Sequence, residues 1–70
     1  MATRLTNGEN SFIEAVQDQF GKSQAEAEII LAIFKRLKVV TFSFHGSNFT
    51  LVDGDLWSIE AMNNALDIGR

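Results

Sequence analysis

Seventy residues with a net charge of −3 and no cysteine exclude a multidomain enzyme, a disulfide scaffold and a thiolate zinc site. The acidic balance gives no global pull toward nucleic acid or anionic membrane, and no apolar run nears the ~20 residues of a membrane span. Apolar residues make up 46% of the chain, with six Phe and one Trp, enough to favour a folded domain over disorder.

A single domain over residues 1–70 is expected, with residues 1–9 as a flexible N-terminal arm. The opening MATRLTNGEN lacks the apolar run of a signal peptide, so a cytoplasmic protein is expected. A chain this short buries only about 60% of its unfolded surface, and oligomerisation is a common remedy.

Ser11 lies three residues before Glu14, a capping-box spacing that predicts a helix start. Phe12, Val16 and Phe20 recur every four residues with Ile13 beside them, which gives one apolar stripe. Gly21 follows as a left-handed stop. A second capping box, Ser23 with Glu26, opens a longer helix whose core stripe is Ile30, Ile33, Phe34 and Leu37. Glu26 and Glu28 near its start and Lys35, Arg36 and Lys38 at its end match the helix macrodipole.

The period then changes to two. Val40, Phe42 and Phe44 point one way and Thr41 and Ser43 the other; after the turn residues HGSN, Phe49 and Leu51 alternate with Thr50 and Val52. A four-residue loop would set Phe44 opposite Phe49 and Phe42 opposite Leu51, a hairpin with one apolar face. That face must cover the helices, because an isolated hairpin is unstable in water. Trp57 fits either a lid over the hairpin or a surface anchor for a partner. After the turn Asp53-Gly54-Asp55, either Asp55 or Ser58 can cap a last helix with the stripe Ile59, Met62 and Leu66, Ala65 next to it, and Gly69 at its end. The order is ααββα, an α+β domain.

Gly21-Lys22-Ser23 copies the end of a phosphate-binding loop, but the motif needs a glycine five residues earlier, where Val16 stands, and a preceding strand, where a helix is predicted. These three residues therefore read as a helix connection. His45 is the only histidine and has no second ligand for a metal. Asp53-Gly54-Asp55 lacks the rest of a calcium loop, and no serine has a nucleophile-elbow context. No enzyme activity and no cofactor are expected.

Residues 11–52 resemble the back half of a winged helix-turn-helix domain. SFIEAVQDQF matches the supporting helix, GKS the turn, QAEAEIILAIFKRLKVV the recognition helix, and VVTFSFHGSNFTL the wing. The resemblance implies DNA binding through Lys22, Ser23, Gln24, Lys35 and Arg36, with His45 and Asn48 at the wing tip. Opposite its core stripe the second helix carries Gln24, Ala25, Glu28, Ala32 and Lys35. Glu28 has the wrong sign for phosphate, whereas Ala25, Glu28, Ile29 and Ala32 suit a protein partner. DNA and a protein are thus the two candidate targets, with no membrane partner. A homodimer is also expected, paired through the Ala32 face or through the last helix around Met62.

Overall fold

In the computed structural model, which describes residues 7–43 and 48–69, helix α1 spans Asn7–Phe20 and so begins ahead of Ser11. Local signals alone do not hold the extra turn; long-range contacts do. Gly8 is buried against the hairpin, where a Cβ would stand 2.8 Å from Phe42 Cδ1. Glu9 is buried and forms an ion pair with Lys35 of the second helix. Residues 7–9 of the expected arm are therefore helical and docked, while residues 1–6 lie outside the described residues. Ser11 is an interior helix residue, so its predicted capping role is not realised.

Gly21 ends α1 in the left-handed region (φ 66°), with its N–H donating to the Gln17 carbonyl at 3.1 Å. Helix α2 covers Gln24–Arg36 with Ser23 as N-cap. Its capping box is complete: the Glu26 N–H donates to Ser23 Oγ, and the Ser23 N–H donates to Glu26 Oε1, each at 3.1 Å. Ala27, Ile30, Leu31, Ile33 and Phe34 are buried.

Leu37, expected in the core stripe, is instead the C-cap and is exposed. The helix stops there because Lys38 turns into the left-handed region at φ 61°. The Val39 N–H returns to the Phe34 carbonyl and the Lys38 N–H to the Lys35 carbonyl, both at 3.1 Å. This is the bond pattern of a Schellman motif, with lysine where glycine is usual.

Strands β1 (Val40–Phe42) and β2 (Phe49–Leu51) pair antiparallel, with Val40 opposite Leu51 and Phe42 opposite Phe49. The register differs by two residues from the predicted one, because the connection runs over 43–48 and is closed by the Ser43 N–H donating to the Asn48 carbonyl. An even shift leaves every side chain on its expected face. Val40 is buried, Phe42, Phe49 and Leu51 are half-buried, and Thr41, Ser43 and Thr50 are exposed. Phe44 and His45 lie outside the described residues.

A short 3₁₀ turn, Gly54–Leu56, is capped by Asp53, whose carboxylate accepts the Asp55 N–H at 3.0 Å. Helix α3 (Ile59–Gly69) is capped by Ser58 and not by Asp55: the Ala61 N–H donates to Ser58 Oγ at 3.1 Å. Met62, Ala65 and Leu66 face inward, but Ile59 is exposed, since the helix presents its first residue away from the core.

Helix α2 lies at the centre of the described fold, packed against both α1 and α3. This contact explains why so much of its circumference is apolar: Leu31 is buried and Ile29 half-buried within the chain itself. Phe12, Val16, Ile30 and Met62 are fully buried. Phe12 stands edge-on to Phe34, Phe49 and Trp57 at centroid distances of 5.6, 5.1 and 5.8 Å, the arrangement that ring quadrupoles favour. Trp57 also meets Phe20 at 5.0 Å, and its Nε1–H donates to Gln19 Oε1 at 2.9 Å. It closes the hairpin over α1, as the lid reading expects. No described helix is long and apolar enough to cross a membrane.

Candidate functional site

The outward face of α2 forms because the helix is clamped on its other sides by α1 and α3. Gln24, Ala25, Glu28, Ala32, Lys35 and Arg36 are all exposed along it. The three helices and the antiparallel hairpin that follows α2 are compatible with a winged-helix-like arrangement.

The polar groups on and beside the face are largely engaged within the chain. Lys22 Nζ donates to Asn63 Oδ1 of α3 at 2.6 Å. Gln24 Nε2 donates to Glu28 Oε2 one helical turn away at 3.2 Å. The Lys35 ammonium meets the Glu9 carboxylate. Ser23 is occupied as the α2 cap. Asn48 sits at the end of the hairpin connection, where its backbone carbonyl accepts from Ser43, and His45 lies outside the described residues.

The candidate DNA contacts fall into two groups. Lys22, Ser23 and Gln24 stand at the start of α2, and Lys35 and Arg36 at its end, roughly 17 Å along the axis at 1.5 Å per residue. Glu28 lies between them. Of the candidate partner residues, Ala25, Glu28 and Ala32 share the open face, whereas Ile29 is half-buried and its Cγ2 lies directly beneath Gly69 of α3. Ile29 therefore belongs to the α2–α3 contact. Met62, a suggested dimer seam, is fully buried and unavailable to a partner.

Two features escape the sequence reading. The Glu9–Lys35 pair joins residues 26 positions apart, and no local spacing announces it. The second is an apolar groove of about 140 Å³ between the end of α2 and α3, lined by Ile33, Leu37, Val39, Ala61, Asn64 and Ile68 among others. No local signal marks it, because Leu37 fits the core period of α2 and is exposed only once the helix ends there. No family model matches the chain, and neither a curated protein nor a solved structure does.

Proposed function

We propose that the chain is a non-enzymatic interaction protein of the winged-helix type, whose outward α2 face engages a protein partner. The observation that carries this reading is the internal engagement of the groups a DNA reader would present: Lys22 with Asn63, Gln24 with Glu28, and Lys35 with Glu9. Each contact takes up one donor of its group and holds the side chain toward its neighbour within the chain, so a phosphate or base edge would compete with it, and Glu28 would still repel the backbone. Small Ala25 and Ala32 leave room for close approach of a partner helix, and the net charge of −3 favours a partner with basic character.

A second reading, DNA binding, draws on the exposure of α2 from Gln24 to Arg36 and on the hairpin in the wing position. Fluorescence anisotropy with mixed-sequence duplex DNA over graded salt separates the two. The protein-binding reading expects no association beyond the non-specific range, roughly 10⁻⁴ M, at physiological salt. With Arg36 and Lys38 as the cations that have neither an ion pair nor a side-chain hydrogen bond among the described residues, a residual log–log salt slope of about −2 is expected. Submicromolar binding with a slope of about −5 or steeper would reject it in favour of DNA.

A further inference from the structure

We propose that the groove between α2 and α3 is a two-fold seam that holds a second copy of this chain, independently of what the outward α2 face engages. Four large aliphatic residues are exposed among those described: Leu37, Val52, Ile59 and Ile68. Leu37 (55% exposed) and Ile68 (58%) form the lips of the groove. Two of the four thus stand on one groove, where their exposed surfaces adjoin a cavity lined by apolar side chains.

The patch is self-complementary in shape. It holds both a cavity and protruding aliphatic side chains, and about 140 Å³ is the order of space that admits one benzene-sized group. A two-fold axis between Leu37 and Ile68 seats a lip of each copy in the groove of the other, an isologous contact. The Ala32 face carries small and polar side chains, and none of the exposed large aliphatic residues among those described lies on it.

Charge supplies the register. On the α2 side, Arg36 and Lys38 flank Leu37. On the α3 side, at 100° per residue, Glu60 and Asp67 come next round the helix beyond the groove residue Asn64. None of the four takes part in an ion pair among the described residues. Two-fold seating sets the basic rim of each copy against the acidic rim of the other. A parallel superposition of like rims would repel.

Sedimentation equilibrium of the full chain from micromolar to submillimolar concentration is expected to show a monomer–dimer equilibrium. Ile68→Arg is expected to weaken it at least about tenfold, as is usual for a central interface residue, while Ala32→Arg leaves it unchanged. Circular dichroism checks that each variant is folded. Should Ile68→Arg unfold the chain, the exposed rims still decide: Arg36→Glu with Lys38→Glu weakens the dimer, and adding Glu60→Lys and Asp67→Lys restores it. A monomer at every concentration overturns the proposal. So does a dimer that Ala32→Arg dissociates and Ile68→Arg does not, or a charge exchange that fails to restore association.

Discussion

Phe12 sits with no exposed surface among Phe34, Phe49 and Trp57, so it joins α1, α2, the hairpin and the segment before α3. Phe12→Ala is expected to cost about 3–5 kcal/mol, since the cavity would open where four segments meet. Phe42→Ala should cost less, because Phe42 is only half-buried; chemical denaturation of both variants checks the order. Lys38 carries the opposite opportunity. Its left-handed backbone costs a non-glycine residue roughly 1–2 kcal/mol, against about 0.4–1 kcal/mol of unfolded-state entropy that glycine would add. Lys38→Gly should therefore stabilise the fold by about 0.5–1 kcal/mol, and an unchanged or lower melting temperature would count against the Schellman reading. The Glu9–Lys35 pair is testable by a double-mutant cycle with Glu9→Gln and Lys35→Met. A coupling of about 1–2 kcal/mol is expected, more than for an exposed pair, because the Glu9 carboxylate is buried. Coupling near zero would reduce the pair to a surface contact.

At the scale of elements, the start of α2 was fully legible and its end was not. Ser23 and Glu26 satisfy each other's backbone N–H groups within one turn, so the signal is local and the structure reproduces it. Ser23→Ala should cost about 1 kcal/mol, measured by thermal unfolding. Leu37 fits the apolar period of α2 equally well, but the period does not know that Lys38 leaves the helix. The hairpin shows the same division. Alternation of Phe42 and Leu51 with Thr41 and Thr50 sets the faces, while the length of the connection sets the register. Helix α3 runs close over α2 at Gly69, where a Cβ would collide with Ile29 Cγ2. Gly69→Ala gains helix propensity at a terminal position where that gain is small, and it overpacks the contact. A net loss of about 1 kcal/mol is expected, with faster amide exchange in the last turn of α3.

For the whole molecule, the aromatic cluster makes one cooperative unit of the described elements. Trp57 touches Phe12 and Phe20 of α1 and Phe49 of β2 from its place between the 3₁₀ turn and α3. Its fluorescence and the far-ultraviolet circular dichroism should therefore unfold along a single curve. Separate transitions would show that the hairpin and the segment after it open ahead of the helices. A domain of this size has little stability in reserve, so a change of 1 kcal/mol should move the melting point by roughly 4–8 °C.

The sequence by itself determined the order ααββα, the inward faces of the helices and strands, the α2 capping box and the connection through Gly21, Lys22 and Ser23. Those features rest on periods of 3.6 and 2 and on hydrogen bonds that close within four residues. Tertiary structure alone decided where α1 begins, that Glu9 lies buried against Lys35, that Ile29 belongs under Gly69, and that Leu37 and Ile68 face each other across a groove. Each of these depends on contacts between residues far apart in the chain, whose geometry is fixed only when α3 and the hairpin dock on α1 and α2. The candidate site divides along the same line. Its exposed face follows from helical spacing, but the engagement of Lys22, Gln24 and Lys35 follows from what lies opposite them after folding.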